Sequence, residues 1–137
     1  MTDAKAVVES ALNALVTQDA EQHMFWIDDE VLVEPVPNAP PLAGKLRYLE
    51  MASLLLTPGT GARVTGYEVT HVGAPGQDTQ WVRVTLRFLV TKDGRLFPSE
   101  PVEYIDQESD NWFGVRNDRV TQVKSQSKPR MLHWSSE

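Results

Sequence analysis

The sequence has no cysteine, more acidic than basic residues and no long apolar run, and each of these absences argues against a class of protein. Without cysteine there are no disulfides, thiolate nucleophiles or sulfur ligands for a metal, so a disulfide-stapled secreted domain is disfavoured. The 13 Lys and Arg are scattered against 19 Asp and Glu, and the net charge of -6 argues against nucleic acid or an anionic membrane as partner.

The remaining absences concern targeting and membrane insertion. No apolar run approaches the roughly 20 residues that span a bilayer. The N-terminal stretch MTDAKAVVESAL lacks the basic flank and the continuous apolar core of a signal peptide. We therefore expect a cytoplasmic protein that acts without a membrane.

The composition itself is that of a globular domain. Of its 137 residues 41% are apolar and 23% are charged, which is enough to build a sizeable core. A second core would leave each half marginal in size, so we expect one domain over residues 1–137, with 128–137 as a candidate flexible tail.

Three helices are predicted in the first part of the chain. The segment TDAKAVVESALNALVTQD has apolar residues at the spacing of one helical face, and Thr2 or Asp3 can cap it. A second helix begins at a capping signal, Asp19 followed by Gln22, and continues to Trp26. A third helix runs from about Gly44 to the stop at Thr57-Pro58-Gly59, and its predicted apolar side comprises Leu46, Leu49, Leu54, Leu55 and Leu56.

Strands are predicted between and after these helices. Val31 to Val36 forms a short strand, and the alternation in QWVRVTLRFLV predicts a strand with one buried face. RVTGYEVTHV precedes it, PVEYIDQESDNWFGV follows with a predicted bulge around Glu108 to Asp110, and RVTQVKSQS comes after an Asn117-Asp118 turn. This order predicts an α+β cone-shaped roll, in which N-terminal helices pack on a strongly curved, mostly antiparallel sheet.

The residues that could carry chemistry are few. His23, His71 and His133 have no metal-ligand spacing, and neither a GxSxG elbow nor a complete P-loop is present, so we predict no metal and no cofactor. Glu34 stands out because it closes a short apolar strand just before Pro35. It is either an acid solvated at the strand end or a half-buried carboxylate that faces a pocket.

Taken together, several segments resemble the nuclear transport factor 2 superfamily, and within it the ketosteroid isomerases and polyketide cyclase-like proteins. These segments are the helix ending near QD, then FWIDDEVLVEPV, the PPLAGK entry into the third helix, and the closing hairpin FGVRNDRVTQV. The resemblance implies a cystatin-like cone with an apolar pocket, and a homodimer formed through the sheet.

The same resemblance assigns roles to individual residues. It implies that Glu34 is a general base and that Asn111 donates a hydrogen bond to an oxyanion, with a one-residue uncertainty that leaves Asp110 as the alternative. The tyrosines of the isomerase network fall at Ala11 and near Ala52, so that network is largely missing. The predicted ligand-binding residues are Trp26 as an aromatic wall, Phe113 and Val115 on the strand face of Asn111, and His71.

Two functions follow as hypotheses. In the first, the cone binds a small apolar molecule, cyclic or carbonyl-bearing, and Glu34 abstracts a proton as in an isomerase or cyclase. In the second, the same fold is a non-catalytic ligand-binding or dimeric assembly module. An apolar cavity that contains both Glu34 and Asn111 favours the first hypothesis, whereas an exposed apolar sheet face favours the second.

Overall fold

A computed structural model describes residues 3–34, 40–73, 78–91, 103–125 and 130–136 of the chain. The helices are α1 (Ala4–Val16), α2 (Ala20–Phe25) and α3 (Lys45–Leu56). The strands are β1 (Ile27–Glu34), β2 (Leu42–Ala43), β3 (Ala62–Gly73), β4 (Gln80–Thr91), β5 (Glu103–Arg116), β6 (Arg119–Ser125) and β7 (Arg130–Ser136). The predicted α+β class is confirmed.

The first two helices begin where the sequence predicts. Asp3 caps α1 by accepting from the Lys5 backbone N–H, and Asp19 caps α2 by accepting from that of Gln22 at 3.2 Å. Each cap satisfies a backbone donor that has no partner within its helix. The buried face of α1 consists of Ala4, Val7, Val8, Ala11, Leu12, Ala14 and Leu15, and it packs on β3, β4, β5 and β6.

The third helix buries only part of its predicted apolar side. Leu56 is buried with Tyr48 and Ala52, and Leu49 and Leu55 are partly buried against the core, whereas Leu46 is 77% exposed and Leu54 is 40% exposed. At 3.6 residues per turn, Leu46 lies about half a turn around the helix from Leu55. The prediction was therefore wrong for Leu46 and Leu54, because the leucines of this segment surround the helix rather than line one side of it.

All seven strands belong to one sheet, in the order β2-β1-β6-β5-β4-β3, with β7 paired to β5. The β1–β6 pair is parallel and every other pair is antiparallel, as in the mostly antiparallel sheet that the sequence predicts. β4 alternates as expected, since Val82, Val84 and Leu86 are buried against the helices. We call this the inner face of the sheet, and the opposite side the outer face.

β5 is the longest strand and pairs with β4 without a break. The register runs from Gln80 opposite Val115 to Thr91 opposite Tyr104, so the bulge predicted near Glu108 to Asp110 is absent from this pairing. The polar residues that suggested a bulge alternate instead between the two faces of the sheet, and the register shifts of β5 lie elsewhere, at Asp106–Gln107 and Gly114–Val115. The turn at Asn117 and Asp118 has positive φ at both residues (53° and 59°), the geometry that a two-residue hairpin favours.

The other edge of β5 is shared by two strands. β6 pairs with residues 111–116 and β7 with residues 103–108, so Ser109 and Asp110 lie where one partner strand gives way to the next. β7 comprises residues 130–136, most of the segment predicted as a candidate flexible tail. In the described parts of the chain, none of the helices has the length and apolar character that a bilayer span requires.

Candidate functional site

A cluster of three polar side chains, Ser109 and Asn111 of β5 and the half-buried Ser125 of β6, lies on the inner face. Asn111 is 6% exposed and Ser109 is 8% exposed, and they share this face with Phe113. The register places Asn111 between Val84 of β4 and Ser125 of β6. Polar side chains are thus embedded in an otherwise apolar wall.

The hydrogen bonds of this cluster fix the orientation of the Asn111 amide. Asn111 Nδ2 donates to Ser109 Oγ at 3.1 Å and lies 3.4 Å from the Ser109 carbonyl oxygen. A carbonyl oxygen can only accept, so the nitrogen and not Oδ1 must face it. On the other side, Ser125 Oγ donates to Asn111 Oδ1 at 3.3 Å. Asn111 is therefore held from both sides by serine hydroxyls.

The neighbouring residue, Asp110, faces the opposite side. Its Oδ1 accepts from Thr85 Oγ1 at 2.9 Å, and its Oδ2 lies 3.7 Å from Arg83 Nη2. Strand alternation places Asp110 on the outer face and Asn111 on the inner one. Of the two residues left open by the sequence, Asn111 therefore lies on the inner face.

Glu34 lies at the end of β1, half-buried, opposite Lys124 of the parallel strand β6. The burial pattern of β1 alternates, with Val31 and Val33 buried and Leu32 exposed, so Glu34 shares the outer face with Leu32. Its register neighbour Lys124 holds its ammonium 5.1 Å from the ring centre of Trp81. Glu34 and Asn111 are thus near the same end of the sheet but on different faces.

The other predicted ligand residues are spread along the fold. Phe113 is buried beside Asn111. Val115 is buried as well but pairs with Val120, and the Trp26 carbonyl accepts from the Val120 N–H at 2.7 Å. Since Val120 and Ser125 are five strand residues apart, Trp26 and Val115 lie about 13–16 Å from the serine–asparagine cluster.

His71 belongs to β3, where its backbone pairs with Arg83 of β4. The side chain of His71 falls outside the part of the chain that the structure describes, as does Pro35. β3 is separated from β5 by β4, so the backbone of His71 is two strands away from Asn111.

A second buried polar group links the three helices. His23 of α2 is fully buried, with Nδ1 2.7 Å from the Ala11 carbonyl of α1 and Nε2 2.6 Å from the Tyr48 hydroxyl of α3. Because the carbonyl can only accept, Nδ1 carries the proton and Nε2 accepts from Tyr48. The histidine is held as a single neutral tautomer.

Burial sets the protonation of this pair. Desolvation lowers the pKa of His23, and the hydrogen bond to the Ala11 carbonyl opposes that shift only in part. Burial likewise raises the pKa of the Tyr48 phenol. Both side chains are therefore neutral at physiological pH, and neither adds a charge to the core.

The chain is similar to known proteins in its structure but not in its sequence. The sequence matches no protein-family model and no curated protein. The structure is similar to a computationally designed 17-OHP binder (TM-score 0.67, 11% identity, 96% of this chain and 98% of that one). It is also similar to a candidate polyketide cyclase from Pseudomonas putida (TM-score 0.66, 12% identity, 91% of each chain).

A third similar structure is a cystatin-fold protein of uncharacterised role from Novosphingobium aromaticivorans (TM-score 0.62, 12% identity, 91% of this chain and 98% of that one). These similarities confirm the predicted cystatin-like α+β fold. Identities of 11–12% carry no further than that, because one fold hosts many different sites.

The positions at which the sequence resemblance places isomerase tyrosines are small and buried. Ala11 is fully buried and Ala52 is 7% exposed. The buried polar pair on these helices is His23 and Tyr48, which bond to each other, and His23 also bonds to the Ala11 carbonyl. No cluster of three or more His, Asp or Glu suited to a metal occurs in the described residues.

Sequence reasoning missed four of these residues: Ser109, Ser125, His23 and Tyr48. For Ser109 a signal existed, since it is two residues before Asn111 and so lies on the same strand face. Ser125 could be found only by knowing that β6 pairs with β5 next to Asn111. The His23–Tyr48 pair spans 25 residues and depends on the packing of three helices.

Proposed function

We propose that this protein binds a small apolar molecule, cyclic and bearing a carbonyl, against the inner face of its sheet. The observation that carries the proposal is the serine–asparagine cluster within an apolar wall. Asn111 is flanked by Val84 on β4 and by Phe113 two residues along its own strand. Ligand sites combine an apolar lining with a few polar groups that orient the ligand, and this wall has that composition.

The structural similarities support this class of ligand. A designed 17-OHP binder and a candidate polyketide cyclase both have this fold, so its framework is compatible with a binding role and with an enzymatic one. Of these two roles, ligand binding without catalysis fits the geometry better. The predicted base Glu34 shares the face of Leu32, whereas the Asn111 amide lies on the face of Val33.

Catalysis by Glu34 stays a prediction with its own test. The protein would be incubated in D₂O with 1-tetralone, a bicyclic ketone, and α-carbon deuteration followed by NMR for the wild type and for Glu34→Gln. Exchange that disappears in the variant would establish proton abstraction by Glu34. Equal exchange in both proteins, or exchange no faster than in buffer, would leave binding as the function.

Binding is tested by NMR titration with 1-tetralone and with tetralin, which has the same rings without the carbonyl. We expect chemical-shift changes at the backbone amides of Val84, Asn111 and Phe113. As a control, the outer-face residue Leu32 should not respond to either compound. Changes confined to residues of the outer face would contradict the proposal.

We further propose that the partner on the outer face is a second copy of this chain. This face carries the half-buried indoles of Trp81 and Trp112 together with Leu32, which is 43% exposed. Aromatic side chains are enriched in the centres of protein–protein interfaces relative to the rest of the protein surface. Sedimentation should give a dimer for the wild type and a monomer for Leu32→Arg; a wild-type monomer at 100 μM would refute this assignment.

A further inference from the structure

We propose that the group that donates a hydrogen bond to the ligand is the Ser109 hydroxyl, and that Asn111 positions it. This inference rests on the proposed function, because it names the polar contact of that same site. It departs from the sequence-based assignment, in which Asn111 itself donates.

The hydrogen bonds of the cluster run in one direction. Ser125 Oγ uses its single hydrogen on Asn111 Oδ1, and Asn111 Nδ2 uses one of its hydrogens on Ser109 Oγ. Nδ2 also lies 3.4 Å from the Ser109 carbonyl oxygen. The two acceptors near the amide nitrogen both belong to Ser109, so the Asn111 amide orients Ser109.

Ser109 stands at the end of this chain of donors. Its Oγ accepts from Asn111 and so keeps its own hydrogen, for which no acceptor occurs among the described residues. A hydroxyl that accepts from an amide becomes a better donor, because successive hydrogen bonds polarise one another. The terminal hydroxyl is thus the strongest neutral donor that the cluster can offer.

Ser109 is buried at a change of strand partner. It is 8% exposed and lies opposite Leu86 of β4, and on the other edge of β5 it follows the residues paired with β7 and precedes those paired with β6. A buried hydrogen-bond donor without a partner destabilises the protein, whereas an exposed donor can bond to water. A ligand oxygen at this position would supply the missing acceptor.

The cluster also defines the chemistry of the ligand atom. All three side chains are neutral, and Asn111 Oδ1 accepts from Ser125. The hydrogen that the cluster can offer to a ligand is that of the Ser109 hydroxyl, which suits a ketone, enone or quinone oxygen as its acceptor. A carboxylate is disfavoured, since no cation lies within the cluster to balance its burial.

The test compares Ser109→Ala with the wild type, using 1-tetralone as the probe and tetralin as its carbonyl-free control. Removing one neutral hydrogen bond should weaken 1-tetralone binding about five- to tenfold and leave tetralin binding unchanged. The infrared C=O stretch of bound tetralone should move to the higher frequency that it has in an apolar solvent. Ser109→Cys, with its weaker donor, should fall between the two proteins.

Two further variants separate donating from positioning. Ser125→Ala should weaken tetralone binding about two- to threefold and shift the carbonyl band only partly, because it removes polarisation and orientation but not the donor. Thr85→Val, on the outer face, should change neither. An unchanged carbonyl band in Ser109→Ala would overturn the inference, whereas a wild type that binds neither tetralone nor tetralin would overturn the proposed function itself.

Discussion

Asp110 and Asn111 are neighbours on β5, yet they face opposite sides of the sheet and are held by different kinds of partner. On the inner face, Asn111 is 6% exposed and is bound only by neutral groups. On the outer face, the Asp110 side chain is 15% exposed and pairs with Thr85 and with Arg83, which is itself 40% exposed. The side chain that stays near water is thus a charged carboxylate, and the side chain that is shielded from water is a neutral amide.

This difference follows from the cost of desolvation. A buried amide is tolerated when its donors and acceptors are paired, whereas a buried carboxylate also needs a counter-charge. The inner cluster supplies two serines and no cation. Its preference for a neutral side chain at position 111 can be tested directly.

The largest effect is expected from Asn111→Asp. The new carboxylate would lose both amide hydrogens, face the Ser109 carbonyl and lie in an apolar wall, so unfolding free energy should fall by about 2–4 kcal/mol at pH 7. Burial should raise the pKa of this new acid, and the loss should therefore shrink as the pH is lowered towards 5. Urea unfolding at the two pH values measures both effects.

Asp110→Asn is the matched control on the other face. It removes the attraction to Arg83 but keeps an acceptor for Thr85, and we expect a loss of at most about 1 kcal/mol. If both substitutions lower the free energy of unfolding by the same amount, the two faces of β5 do not differ in polarity.

The next largest effect concerns the other neutral cluster of the core. Tyr48→Phe removes the donor to His23 Nε2 and leaves a fully buried acceptor without a partner, which should cost about 1–3 kcal/mol. Tyr67→Phe is the matched control, because Tyr67 donates to Asn13 Oδ1 at 2.6 Å in an exposed position. That change should cost less than about 1 kcal/mol. A control as costly as Tyr48→Phe would show that burial is not the cause.

Local patterns predicted much of this structure. The caps at Asp3 and Asp19, the alternation of β4 and the hairpin turn at Asn117-Asp118 are all confirmed, since each depends on a few neighbouring residues. The buried face of α3 was mispredicted in part, because leucines occur all round that helix. Which side of α3 is buried depends on how the helix packs against the sheet.

The candidate site was only partly predictable, for a related reason. The face of Asn111 could be inferred from Phe113, and the outward position of Glu34 from the alternation of Val31 and Val33 with Leu32. The partners of Asn111 depend on which strand lies beside β5, and no local pattern specifies that. The change from β6 to β7 next to Ser109 is a property of the whole topology.

A pH titration of stability tests the neutral state of His23. Its lowered pKa means that below about pH 6.5 the unfolded chain binds a proton that the folded one does not, so stability should fall as the pH drops from 7 to 5. One such group contributes a slope of at most about 1.4 kcal/mol per pH unit. His23→Gln removes this titrating group, and its stability should vary less over the same range. Equal slopes would mean that His23 takes up its proton over the same pH range in the folded and in the unfolded protein, and so that its pKa is not lowered.

The smallest effects come from removing, on each face of the sheet, one hydroxyl that bonds to a β5 side chain. Ser125→Ala leaves Asn111 Oδ1 buried without its donor and should cost about 1 kcal/mol. Thr85→Val keeps the shape and the strand preference of the side chain, and Asp110 can replace the lost bond with a bond to water. We therefore expect a loss of stability of about 0.5 kcal/mol or less.

Salt provides a further test of the two faces, because 0.5 M NaCl should weaken the Arg83–Asp110 attraction while leaving the neutral cluster unaffected. The stability difference between Asp110→Asn and the wild type should therefore narrow in salt, whereas that between Ser125→Ala and the wild type should stay constant.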